Sequence, residues 1–319
     1  MTLPLAPPVA PQLALSRAAL PEEEGFVYEI KLDGFRCLAF VDGGEVFLQS
    51  RNGRPLGRYF PELTFPAGRY VIDGEIVVRD DSGHEDFDAL QQRIHPAASR
   101  VALLSAQTPA VFVAFDVLAI DDAVWMSHSF VERRAALEAL ARRLEFTAFP
   151  IELMMTVPTA GQAKRWLDEA EGVIAKRSDA AYLPGERRAM VKVKRVRTID
   201  AVVVGWRPGK LEGTVGALIL GLYQGEDLRV VGHCSGLTTA EKRRLVGFLE
   251  PYETGERGAG EASRWTAGRE LEWISLRPEL VVEVDFDHVS AGRIRHGAKL
   301  RRWRDDKPAR ECGFDQLKS

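Results

Sequence analysis

Residues 28–36 read Tyr-Glu-Ile-Lys-Leu-Asp-Gly-Phe-Arg, and their alternation decides how the first half of the chain folds. Phe26, Tyr28 and Ile30 fall on one face of a strand. Glu29 and Lys31 share the other, because successive side chains on a strand point to opposite sides. Asp33-Gly34 then marks a turn. An amine beside carboxylates at the mouth of a sheet suits phosphate and metal chemistry. Taken alone, the segment fits a solvated charged strand face equally well.

Outward from this stretch, residues 26–78 read as strands and tight turns. Asp42-Gly43-Gly44 separates Phe35–Val41 from Glu45–Ser50 as a hairpin signal. Tyr70–Val78 reads as a strand interrupted at Asp73-Gly74-Glu75, and 111–120 as a strongly apolar strand. Asp86 is placed to cap a short helix through Leu90 to Ile94, ended by Pro96. Ser129 with Glu132 makes a capping box for a helix to about Leu144, and a further helix covers about 160–170. Short strands are expected at 173–176 and 190–196. Strands and helices mix without regular alternation, which favours α+β over a doubly wound sheet.

From Asp200 the pattern changes. Strands are expected at 201–206, 217–223, 228–234, 271–276 and 280–286, with one helix between them, capped by Thr238 and Glu241 and running to about Leu249. Gly255 to Gly260 reads as a loop. Five strands and one helix suit a small barrel of the OB type. Two domains are expected, 1–198 and 199–319.

Composition narrows the function classes. The 319 residues are enough for two cores, and no apolar run is long enough to span a membrane. Met1 to Ser16 is apolar and Pro-rich without the basic start of a signal peptide, and is expected to lie as an extended arm on the first domain. Cys37, Cys234 and Cys312 make neither a disulfide framework nor a thiolate metal site, and the six histidines form no ligand pair at helical spacing. A reducing cytoplasm fits this usage. Net charge is −3, yet basic residues cluster between Arg187 and Arg197 and between Arg293 and Arg310. Such clusters on a mildly acidic chain suggest a local phosphate-binding surface.

Three strands repeat one arrangement. Glu29 and Lys31 share a face, as do Asp73 and Glu75, and Lys192 and Lys194. If the three line one cleft, amines and carboxylates alternate in it, and a nucleotide and a divalent cation can bind together.

Taken in order, the motifs resemble those of ATP-dependent DNA ligases of the covalent nucleotidyltransferase superfamily, nearest the small bacterial repair ligases of the LigC and LigD type. They are Lys-Leu-Asp-Gly-Phe-Arg (31–36), Ser-Arg-Asn-Gly (50–53), Asp-Gly-Glu (73–75), Phe115-Asp116, Glu-Gly-Val-Ile-Ala-Lys-Arg (171–177), Val-Lys-Val-Lys (191–194) and Arg-Trp-Arg-Asp-Asp-Lys (302–307). Met190 departs from the pattern, in which an aromatic residue often precedes the lysines. The resemblance implies a nucleotidyltransferase (ATP-grasp-like ligase) domain followed by an OB-fold β-barrel, the whole of α+β class.

It also implies roles. Lys31 is the nucleophile that takes AMP. Glu29, Arg36, Arg51, Glu75, Phe115, Lys192 and Lys194 bind the nucleotide. Arg51, Lys176, Arg302, Arg304 and Lys307 hold DNA or phosphate, and Asp33 and Glu171 hold Mg²⁺ or Mn²⁺. An ordinary lysine amine has a pKa of about 10.4, so a nucleophilic one needs neighbours that favour its neutral form. The implied substrates are ATP and nicked duplex DNA, with repair polymerases or end-binding proteins as partners, and the chain is expected to act as a monomer. Two rivals share features: an RNA ligase or capping-type guanylyltransferase, and a nucleic-acid-binding protein without catalysis.

Overall fold

The computed structural model describes residues 2–259, 272–287, 289–290, 292–295 and 297–318. The chain divides into two compact units, Met1–Arg195 and Val196–Ser319. No helix among the described residues is long and apolar enough to cross a membrane.

Unit 1 holds two sheets. The first has the order Leu15–Ser16, Met190–Lys194, Gly172–Arg177, Phe26–Ile30, Thr156–Val157. Its outermost pair, Leu15–Ser16 with Val191–Lys192, is parallel, and the others are antiparallel. Phe26, Tyr28, Val173, Ala175, Val191 and Val193 bury one face against Leu20, Ala163 and Trp166. The period of two therefore turns Glu29, Ile174 and Lys192, which are register partners across three strands, to the other face.

The second sheet runs Glu45–Ser50, Phe35–Gly43, Gly68–Val78, Ala110–Ile120, Ala123–Val124, with Ile151–Leu153 joining Ala110–Ile120 in parallel. One face packs on a core that includes Val41, Ile72, Ile76, Phe112, Leu137 and Phe146. The helix Phe130–Arg143 starts at the Ser129–Glu132 capping box, and Asp86 caps Phe87–Gln92.

Two local expectations are corrected here, and one helix is added. Gly68–Val78 is continuous through Asp73-Gly74-Glu75. Gly74 serves packing, since a Cβ there would lie 2.5 Å from the Phe112 ring. The expected helix at 160–170 is two single turns, Ala160–Ala163 and Trp166–Glu169. Ala163 and Trp166 both anchor in the core, and the exposed Lys164-Arg165 lies between them. The helix Ala98–Gln107 was not anticipated; Ala97 at its start makes no side-chain cap.

Unit 2 is a closed barrel. Arg197–Pro208, Val215–Gln224, Asp227–Gly236, Ala298–Trp303 and Val281–Phe286 pair in a ring, because the first strand bonds both the second and the fifth. Glu272–Leu276 and Glu253–Ala259 extend it from Arg197–Pro208. Val202, Leu218, Leu220, Val231, Val282 and Val284 fill the interior, and the helix Thr239–Leu249, with its Thr238–Glu241 capping box, adds Leu245 and Leu249.

Two readings of this half change. Ala298–Trp303 closes the ring although Lys299, Arg301 and Arg302 disguise its alternation. Residues 253–259 form a strand rather than a loop. Gly258 is there because the Trp273 ring crosses it, 2.2 Å from where a Cβ would sit. Gly260 and Leu271 lie outside the described residues.

Candidate active site

A cavity of about 530 Å³ opens in unit 1. Glu29, Lys31, Ile174, Lys176, Met190 and Lys192 line it from the first sheet, and Arg36, Glu75 and Phe115 from the second. Arg51, Arg187 and residues 11–16 complete the wall. Each of the three strand pairs read from the sequence thus reaches the cavity, through Glu29 and Lys31, Glu75, and Lys192, while Asp73 and Lys194 lie outside its lining.

Lys31 follows the end of its strand, and its backbone N–H donates to the Gly172 carbonyl at 3.0 Å. Its Nζ lies 3.5 Å from Glu171 Oε1, which is also 3.8 Å from Lys194 Nζ. The next residue, Gly172, packs tightly on the neighbouring strand: its φ is +146°, and a Cβ would come within 2.2 Å of the Val193 carbonyl oxygen. Lys192 has its pKa lowered, first by burial and then by the charges of Lys194, Lys31, Arg51 and Arg187. This wall is therefore a patch of crowded positive charge suited to phosphate.

The opposite end is more deeply buried. Lys176 Nζ sits 2.8 Å from Glu29 Oε2, bonds the Phe115 carbonyl oxygen at 3.2 Å, and lies 4.5 Å from the Phe115 ring centre. Burial pushes the Glu29 pKa up, opposed by Lys176. Lys176, expected to contact DNA or phosphate, is 4% exposed and ion-paired inside the cavity wall. Arg36 forks onto Asp73 with two bonds of 2.6 Å, and its guanidinium carbon lies 4.4 Å from the centre of the Phe115 ring. Burial opposes the Arg36 charge, but Asp73 holds its pKa above the ordinary value.

Glu75 is pushed up to about 7, first by burial, with Arg36 and Lys31 opposing and Asp73 and Asp33 adding to the shift. Among the described residues no group of three or more His, Cys, Asp or Glu side chains gathers as a metal site. Mg²⁺ typically takes one or two carboxylates, with phosphate oxygens and water completing its shell. Asp33 and Glu171, the carboxylates expected to hold a metal, carry oxygen donors of the hard kind that Mg²⁺ and Mn²⁺ prefer.

Arg302, Arg304 and Lys307 lie in unit 2. Arg304 and Lys307 each bond Asp200 at 2.8 Å, and Arg304 also forks onto Asp306. That hydrogen bonding brings Asp306 down to about 2. Arg302 is exposed and bonds Glu283 at 2.6 Å.

Sequence reasoning missed three residues that hold this site. Tyr182 donates to Asp73, Gln12 meets Tyr182, and Arg133 forks onto the buried Asp116. Their partners Asp73 and Asp116 stand in recognised motifs, but nothing in the local pattern around Gln12 or Tyr182 signals their contacts.

Comparison with known proteins agrees with this architecture. A profile described as "ATP dependent DNA ligase domain" matches residues 7–194, and one described as "ATP dependent DNA ligase C terminal region" matches 212–307. The chain is 44% identical to "DNA ligase C2" of Mycolicibacterium smegmatis, over 100% of this chain and 97% of that protein. It is 43% identical to "DNA ligase C" of Mycobacterium tuberculosis, over 99% and 96%. A solved structure titled "mycobacterial DNA ligase D complexed with ATP and MES" shares 31% identity and a TM-score of 0.52, covering 95% of this chain and 97% of that one. With an adenylation unit followed by an OB-like β unit and full-length kinship at this level, the chain belongs to the ATP-dependent DNA ligases and is a DNA ligase that uses ATP.

Proposed function

We propose that the protein seals nicks in duplex DNA through a lysyl-AMP intermediate carried on Lys31. The observation that carries this reading is the position of the Lys31 amine on the rim of the cavity, between the carboxylate of Glu171 and the cationic wall. The ammonium first yields a proton to solvent. Its nitrogen then bonds the α-phosphorus of ATP as the bond to the bridging oxygen breaks and pyrophosphate leaves, and the nitrogen gives up a second proton, to solvent or to the pyrophosphate, to become the phosphoramidate. AMP next passes to the 5′-phosphate at the nick, and the 3′-hydroxyl displaces it. Positioning and charge neutralisation supply most of the catalysis in such exchanges.

The remaining roles follow the chemistry of each wall. Lys192 and Lys194 hold the phosphates, Glu75 and Arg36 the ribose side, and Phe115 offers the base a flat face. Glu29 reads the base edge. Lys176, spent on Glu29 and packed on Phe115, is assigned to the base end of the pocket rather than to DNA. Arg51, exposed at the cavity wall, is assigned to phosphate. Asp33 and Glu171 would hold Mg²⁺ or Mn²⁺, which supplies charge neutralisation on the phosphates when bound. Arg302, Arg304 and Lys307 of the second domain, 199–319, serve DNA or phosphate.

A role in break repair with polymerase or end-binding partners is part of this proposal. It is supported by 32% identity to a Mycolicibacterium smegmatis protein named "Multifunctional non-homologous end joining protein LigD", of which this chain spans 38%.

The test is intact-protein mass spectrometry after incubation with ATP or GTP and Mg²⁺ or Mn²⁺, followed by nick sealing on DNA and mixed RNA–DNA strands. An AMP adduct on Lys31, absent from Lys31→Ala, is expected. An adduct with GTP alone, or on another side chain, rejects the proposal.

A further inference from the structure

Tyr182 lies between the strands Gly172–Arg177 and Met190–Lys194, outside every recognised motif and away from the cavity lining. It is 3% exposed. Its hydroxyl donates to Asp73 Oδ2 at 2.6 Å and accepts the Gln12 backbone N–H at 3.0 Å. Asp73 is wholly buried, and its two oxygens also accept the Arg36 fork. The Gln12 side chain returns the contact by accepting the Leu183 N–H at 2.7 Å. Gln12 belongs to the segment that walls the cavity, as Arg36 does on the other side.

These contacts form one continuous path from the N-terminal arm to the nucleotide wall. A carboxylate that receives only a guanidinium can rock with it. A third donor, fixed on a buried ring, sets the plane of that carboxylate and hence of the fork bound to it. An arginine side chain has many rotamers to lose, so its aim at Phe115 depends on such a fixed acceptor.

We propose that Tyr182 is a positioning residue for the nucleotide: it ties the arm to Asp73 and, through Asp73, holds Arg36 against Phe115 in the geometry that ATP meets. The proposal rests on the reading of this cavity as the ATP site with Lys31 as nucleophile.

The experiment is single-turnover adenylation of the full chain at varied ATP, with thermal melting alongside, for wild type, Tyr182→Phe, Arg36→Lys and the double variant. A hydrogen bond to a charged group corresponds to about a tenfold change in an equilibrium. Tyr182→Phe is accordingly expected to raise half-saturation for ATP about tenfold, with a smaller change in the maximal rate. In the Arg36→Lys background the same change is expected to add little, because two residues acting through one contact are not additive. Gln12→Pro keeps the phenol but removes the backbone N–H that its hydroxyl accepts, and serves if the tyrosine variant unfolds; a raised half-saturation supports the proposal and an unchanged one overturns it. Wild-type half-saturation in Tyr182→Phe, or an equal loss in both backgrounds, also overturns it. Absence of any adduct on the wild type instead defeats the ATP reading itself.

Discussion

Lys176 and Glu29 form an ion pair of 2.8 Å with side chains only 5% and 2% exposed. Neither charge has water to fall back on, so each depends on the other. Lys176→Met leaves a buried carboxylate unpaired, and a loss of about 3–5 kcal/mol is expected in urea melts. The double variant Lys176→Met, Glu29→Leu should regain most of that stability while failing to take up AMP. A stable double variant that adenylates normally would remove the pair from nucleotide recognition.

Glu75 makes stability depend on pH. Its carboxyl titrates at about 7 in the folded protein against 4.5 ordinarily, chiefly because it is buried. Between those values the folded chain holds a proton that the unfolded chain has released. The group's contribution is therefore complete below about 4.5, declines as pH rises, and is gone above about 7. Glu75→Gln removes the slope. Its melting temperature should exceed that of the wild type at pH 8 and match it near pH 4.5, while adenylation falls roughly 10- to 100-fold through the lost hydrogen bonding. Parallel melting-temperature profiles for the two proteins would contradict this.

Gly172 lies against the Val193-Lys194 backbone only because it lacks a Cβ. Gly172→Ala meets the Val193 carbonyl at 2.2 Å and the Lys194 Cα at 2.8 Å. A cost of about 1–3 kcal/mol is expected, together with slowed adduct formation as Glu171 and Lys194 are displaced. Gly161→Ala has nothing within 4 Å and lies in a helical turn, so it should be neutral or stabilising by about 0.5–1 kcal/mol. Chemical denaturation of the two variants side by side checks the contrast.

Salt should weaken DNA binding steeply, since phosphate contacts dominate such affinities. Arg302 is exposed and presents its guanidinium beside Glu283. Arg302→Ala is expected to weaken binding to a nicked duplex and to reduce the slope of log affinity against log salt by about one. Fluorescence anisotropy across a salt series measures both; an unchanged slope would place Arg302 off the DNA.

Much of this architecture is legible in the residues. The alternation at Phe26–Ile30 and Met190–Lys194 tells which side chains share a face, and the capping pairs Ser129–Glu132 and Thr238–Glu241 locate two helices. What escapes is governed by partners far along the chain. Gly74 and Gly258 read as breaks because their reason is an aromatic ring supplied by another strand. Ala298–Trp303 is masked by its own basic residues. Tyr182 and Gln12 are 170 positions apart and carry no shared pattern. The motifs place Lys31 and Glu171 in sequence, but only the pairing of Phe26–Ile30 with Gly172–Arg177 brings them together.

The cavity takes its walls from two separate sheets, one carrying Glu29 and Lys192 and the other carrying Glu75 and Phe115. A nucleotide seated there acts as a staple across the seam, and a bonded one cannot be diluted away. The AMP-charged enzyme should thus remain stiffened after every trace of free ATP is removed, with slower amide exchange along Phe26–Ile30 of the one sheet and Gly68–Val78 of the other, and should relax only when its adenylate is handed to DNA.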